Sequence, residues 1–194
     1  MTPKQEERIR NKIARIKKDL AADKRYWHGY YHDGGGLRYL PPGLYIKLAD
    51  YKGGMRYIRW FEKNFPNDGA YGLFLFEWAI LLFKTGKTKE CQKKIADTFK
   101  SNCFLIDTFL ERELIVIEMT DYLEWQMTSL TKYFTYRHDD PALLDFGVWL
   151  MEFVESLAYR AFATKYLELE IQLRTTSAGP LRSKLLENQR LLVP

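Results

Sequence analysis

The sequence predicts an all-α fold, an antiparallel helical array. Three observations lead there. Apolar residues recur at helical spacing through most of the 194 residues. The breaks between those stretches are short and carry Gly, Pro, Asn or Asp, which sets consecutive helices antiparallel. Two segments also repeat one another at a 37-residue offset.

Residues 3–25 read as a basic amphipathic helix. Ile9, Ile13, Ile16 and Leu20 make one apolar stripe, and Arg8, Arg10, Lys12, Arg15, Lys17 and Lys18 crowd the rest of the surface. Thr2 suits the N-cap and Pro3 the first helical position. Residues 26–42 form a loop, because three consecutive glycines and Pro41-Pro42 break any helix. The loop is rich in aromatics and is expected to pack down. Short helices are then predicted at 43–51 and 55–65, separated by Lys52-Gly53-Gly54 and closed by Pro66-Asn67-Asp68. A strongly apolar helix spans 71–85 and stops at Gly86; another spans 88–100 with basic residues outward. Residues 103–110 continue as helix, 114–117 are ambiguous between strand and helix, and 121–136 read as helix. Asp139-Asp140-Pro141 starts a long helix to about residue 173, with Leu144, Val148, Met151, Glu155 and Ala158 along one side and Phe146, Leu150 and Phe153 broadening the apolar face. Ser177-Ala178-Gly179-Pro180 is a break, and 180–191 is a last short helix.

The composition, 46% hydrophobic, 28% charged and 15% aromatic, suits one globular domain over 1–194. No apolar run of about 18 residues occurs, so no membrane span or membrane partner is expected. The first twenty residues hold no apolar signal core, and Cys91 and Cys103 form no zinc or redox pair, so a cytoplasmic location is expected. The net charge of +5 is uneven. Residues 1–100 hold 21 Lys/Arg against 11 Asp/Glu, and the remainder 9 against 14. A basic front and an acidic back, residues 104–194, suit capture of a polyanion or self-association of one half with the other.

The repeat pairs residues 48–68 with 84–103: Ala49 matches Gly86, Tyr51 matches Thr88, Gly54 matches Cys91 and Ile58 matches Ile95. A tight inter-helix turn needs a small residue, and so does the point where the second helix crosses the first. This pattern resembles the tetratricopeptide repeat. Ala49-Asp50-Tyr51 looks like that family's turn and Pro66-Asn67-Asp68 like its closing proline. Leu75, Trp78, Ala79, Leu82, Phe83 and Gly86 fall at its large, large, small, large, large and turn positions. The resemblance covers residues 42–103, departs from the family at Phe61, Thr98 and Cys103, and has no third copy. It implies an α-α superhelix of helix-turn-helix pairs, capped by the N- and C-terminal helices, that binds another protein or an acidic peptide and is not an enzyme. It places Ile46, Lys47, Phe76, Ile80, Phe83 and Lys84 on a concave groove, unless the C-terminal helices cover them.

Chemistry is sparse. His28, His32 and His138 do not make a metal-ligand pattern, Asp33-Gly34-Gly35-Gly36 lacks the residues of a phosphate loop, and the cysteines have no neighbouring base. No catalytic residue, metal or cofactor is expected. The rival to a protein-binding scaffold is nucleic-acid binding. Arg8, Arg10, Arg15 and Lys17 would supply phosphate contacts, and Tyr26, Trp27, Tyr30 and Tyr31 stacking surfaces.

Overall fold

The computed structural model describes residues 1–113, 131 and 134–194. The ambiguous run at 114–117 and nearly all of the helix expected at 121–136 lie outside the described residues. Every regular element among the described residues is helical. In chain order these are α1 (Pro3–Tyr26), α2 (Pro41–Lys47), α3 (Tyr51–Asn64), α4 (Gly72–Lys84), α5 (Thr88–Ser101), α6 (Phe104–Phe109), α7 (Leu144–Glu155), α8 (Leu157–Thr175) and α9 (Pro180–Leu191), with a 3-10 turn at Leu37–Tyr39. The chain gathers into two compact units, residues 1–70 with 74–87, and residues 71–73 with 88–194. No helix among the described residues is long and apolar enough to cross a membrane.

In the first unit, α1 starts in a capping box: the Thr2 hydroxyl accepts from the Gln5 N–H at 3.3 Å, and the Gln5 side chain accepts from the Thr2 N–H at 2.8 Å. Its apolar stripe buries Ile13, Ile16 and Leu20. The helix ends with His28 at φ 51°. The His28 N–H donates to the Arg25 carbonyl and the Gly29 N–H to the Lys24 carbonyl, the paired bonds of a Schellman cap. The same cap closes α2 at Ala49 (φ 52°) and α4 at Gly86 (φ 77°). The two positions aligned at the 37-residue offset therefore share one backbone conformation. Each end of α5 also lies 37 residues after the matching end of α3.

Two sequence expectations change here. The helix after the loop starts at Pro41 rather than 43 and ends by Lys47, because Asp50 caps α3 by accepting from the Gly53 N–H at 2.8 Å. Gly53-Gly54, expected to break the helix, lies inside α3. Gly54 is there for packing: a Cβ on it would stand 2.5 Å from Leu81 Cδ2. The aromatic loop is pinned from within. Arg38 pairs with Asp68 at 2.7 Å and Asp33 at 3.1 Å, and the Tyr39 hydroxyl donates to Asp68 at 2.6 Å. Behind it, the Phe61 ring centroid lies 4.6 Å from that of Phe74.

In the second unit, Phe99 of α5 meets Tyr159, Phe162 and Tyr166 of α8 with ring centroids no more than 6.0 Å apart. The Tyr166 hydroxyl donates to the Lys100 carbonyl. Leu169, Leu173 and Leu185 close α8 on α9. The long helix expected to about residue 173 is two helices. Ser156 is extended (ψ 147°) and caps α8 by accepting from the Tyr159 N–H at 3.2 Å. The apolar face of α7 is also rotated toward Phe146 and Leu150, the residues expected to broaden it. They are buried with Gly147 and Val154, whereas Leu144, Val148 and Met151 are exposed. Gly147 sets that rotation, since a Cβ there would lie 2.9 Å from the His138 carbonyl oxygen.

Candidate functional site

The first unit carries a cleft of about 880 Å³. Three helices and a loop line it. From α1 come Lys17, Ala21, Lys24 and Arg25, where spacings of four and three put Lys17, Ala21 and Lys24 on one face. From α3 come Gly53, Arg56, Tyr57, Trp60 and Asn64; Gly29, Tyr31 and Tyr45 complete the wall. The small residues Ala21 and Gly53 leave the room. Gly53 is kept small by its own cap, because a Cβ would fall 2.2 Å from the Asp50 carboxylate.

The aromatic rings hold the lysines. Lys17 Nζ donates to the Tyr45 hydroxyl at 2.8 Å and lies 5.9 Å from the centroid of the Tyr57 ring. Lys24 Nζ donates to Asn64 Oδ1 at 3.0 Å and sits over the Tyr31 ring at 5.0 Å. Asn64 is fixed in turn by the Tyr31 hydroxyl and by its own bond to the Trp60 carbonyl. Burial first, and then the nearby Asp23 charge, push the Tyr31 hydroxyl above its ordinary range. Burial does the same to Tyr57, whose hydroxyl donates to the Arg38 carbonyl. Both stay neutral donors. Arg25 and Arg56 are exposed. Among the described residues no carboxylate lines the cleft and none pairs with Lys17, Lys24, Arg25 or Arg56.

No protein-family model, curated protein or solved structure matches this chain. Function must be read from the site itself.

The aromatic end of α1 adjoins the cleft through Arg25, Gly29 and Tyr31. There Tyr26 is 75% exposed, Tyr30 79% and Trp27 43%. Trp27 is not loose: its ring lies 4.9 Å from that of His32, whose N–H donates to Asp23. The expected stacking surfaces therefore divide, with Tyr31 turned into the cleft and Tyr26, Trp27 and Tyr30 left outside.

The expected cations divide too. Arg10 is tied to Glu6 at 2.7 Å and Arg15 lies 3.8 Å from Asp19, while Arg8 is exposed away from the cleft lining. Of those four, Lys17 alone lines the cleft. Lys24, Arg25 and Arg56 were missed. Continuing the Lys17–Ala21–Lys24 spacing along α1 would have found the first of them.

The six residues expected on a concave groove do not form an open one. Ile46, Phe76 and Ile80 are buried, Phe83 and Lys84 are half-buried, and Lys47 is exposed. The apolar members belong to the core because α2 and α4 are apolar on the faces that hold them. The glycine loop holds no phosphate nest, since the Leu37 and Arg38 N–H groups are already taken by Asp33. Among the described residues no three His, Cys, Asp or Glu side chains group as metal ligands. In the second unit Cys103 lines a cavity of about 320 Å³, and burial pushes its thiol up to about 11, away from nucleophilic use.

Proposed function

We propose that this protein is a non-enzymatic nucleic-acid-binding module that holds a single strand along the cleft and over the aromatic end of α1. One observation carries the reading: four cations, unpaired with carboxylate among the described residues, line a cleft whose wall at Arg25 and Gly29 is next in the chain to the exposed rings of Tyr26, Trp27 and Tyr30. Phosphates need the first and unstacked bases the second. The bases of a duplex are already stacked on one another and cannot lie on such rings, which favours single strands.

Anisotropy of a labelled oligouridine 20-mer, against a duplex of equal length, tests it. With four phosphate contacts, log K should fall with log salt at a slope of about −3, roughly 50-fold between 50 and 200 mM. Arg25→Gln with Arg56→Gln should flatten that slope by about 1.4. Trp27→Ala should cost about 1–3 kcal/mol of binding with the slope unchanged. Absence of salt-dependent binding at 50 mM would sink the reading.

A second reading is a cytoplasmic protein-binding scaffold of tetratricopeptide-like type. The recurrence of cap geometry and helix ends at the 37-residue offset favours it. An affinity pull-down separates the two. A single stoichiometric protein, retained after nuclease treatment, supports the scaffold; nucleic acid alone supports the first reading.

A further inference from the structure

We propose that the cleft is an oligophosphate site, built for two or more phosphates in series. This goes beyond the nucleic-acid reading and rests on it only for the source of the ligand. The aromatic rings of the cleft are already engaged. Tyr31 and Tyr57 present their faces to Lys24 and Lys17, so those faces are occupied and offer little stacking surface to a base, while Tyr45 holds Lys17 through its hydroxyl. Their effect is to hold two ammonium groups in place. Each ammonium has three protons, and each gives one to a neutral acceptor, Tyr45 or Asn64. Two donors on each lysine remain for a ligand.

Arg25 and Arg56 add two guanidinium forks, the geometry that takes phosphate oxygens in pairs. Four cations around one cleft repel each other in the ligand-free protein. A lone phosphate is small beside about 880 Å³. A linear chain of phosphates fills more of that volume, and its charge offsets more of the repulsion among the four. The division of labour follows: phosphates enter the cleft, while rings of a nucleotide or strand remain outside on Trp27, Tyr26 and Tyr30. The chemistry is the same whether the phosphates form the 5′-triphosphate end of a strand or a free oligophosphate.

Isothermal titration of the full chain with orthophosphate, pyrophosphate and tripolyphosphate is the first arm, and a 5′-triphosphate against a 5′-hydroxyl decaribonucleotide the second. Affinity should rise at least tenfold from orthophosphate to tripolyphosphate. Arg56→Gln and Lys24→Gln should each weaken tripolyphosphate at least fivefold. Lys24 also holds Asn64, so Arg56→Gln, an exposed residue, keeps the test valid where Lys24→Gln perturbs folding. Equal affinity for orthophosphate and tripolyphosphate, or tripolyphosphate binding unchanged by Arg56→Gln, overturns the site. A 5′-hydroxyl strand that binds as tightly as the 5′-triphosphate strand, unaffected by competing tripolyphosphate, also overturns it while leaving nucleic-acid binding intact. A tenfold preference for the 5′-triphosphate strand supports the strand end as the source. Tripolyphosphate binding with no strand binding supports the site with a free oligophosphate as the source, and removes the nucleic-acid reading instead.

Discussion

Gly54 shows how one residue can carry two opposite energies. In an exposed helix interior, Gly→Ala gains about 1 kcal/mol of helix propensity. Here the added Cβ would meet Leu81 at 2.5 Å and the Tyr45 Cβ at 3.2 Å, and Leu81 is wholly buried with nowhere to swing. Overpacking of that kind costs about 1–3 kcal/mol. Gly54→Ala should therefore destabilise by up to about 2 kcal/mol in urea unfolding. A stabilised variant would show that α3 does not approach Leu81 so closely. Tyr159 is the reverse case. Its ring is 5% exposed, yet its hydroxyl has no hydrogen-bond partner among the described residues. Tyr159→Phe should leave stability unchanged or raise it by up to about 1 kcal/mol, because no bond is lost and a buried polar group is removed. A loss above about 1 kcal/mol would point to a hydroxyl partner.

Helix ends decide more here than helix interiors. The caps at His28, Ala49 and Gly86 share the left-handed conformation, and only the last uses glycine. Alanine in that region is strained by about 1 kcal/mol. Ala49→Gly should thus raise stability by about 0.5–1 kcal/mol, read as a higher urea midpoint at constant slope. A fall would mean that the turn between α2 and α3 is not left-handed. The break between α7 and α8 rests on Ser156, and Ser156→Ala should cost about 1 kcal/mol. Both features explain where the sequence reading succeeded and failed. The turn at Ala49 falls where the 37-residue alignment puts it, against the local reading of Gly53-Gly54 as a break. The cap at Ser156 was hidden inside an unbroken apolar pattern, which registers helix periodicity but not the single extended residue that interrupts it.

At the scale of the molecule, charge is partitioned. The first unit holds 17 Lys/Arg against nine Asp/Glu, a net of +8, and the second a net of −3. Within the first unit Asp68 ties its own segment to the loop at Arg38 and Tyr39. Burial pushes the Asp68 carboxyl up, but bonds from Tyr39, the Ala70 N–H and Arg38 outweigh it and hold the group below its ordinary 3.8. A value lowered by folding means stabilisation that is present at neutral pH and lost as the pH falls through the lowered value. Asp68→Asn should cost about 1.5–3 kcal/mol at pH 7, with a shallower loss of stability below pH 3.8 than the parent. Acid unfolding followed by circular dichroism checks both; equal acid slopes would remove Asp68 from that role.

The sequence by itself determined the helical class, most helix boundaries, the internal repeat and the basic character of the first hundred residues. These are local quantities: period, cap residues and composition act within a few residues of chain. Tertiary structure decided which cations matter. Arg10 and Arg15 look like phosphate ligands until their neighbours Glu6 and Asp19 face them. Lys24 and Arg56, ordinary in sequence, come to line one cleft once α1 and α3 pack together. It also decided that Phe76 and Ile80 are core rather than groove. Apolar residues on a helix advertise a contact, but the sequence does not say whether the contact is with a partner or with the chain itself.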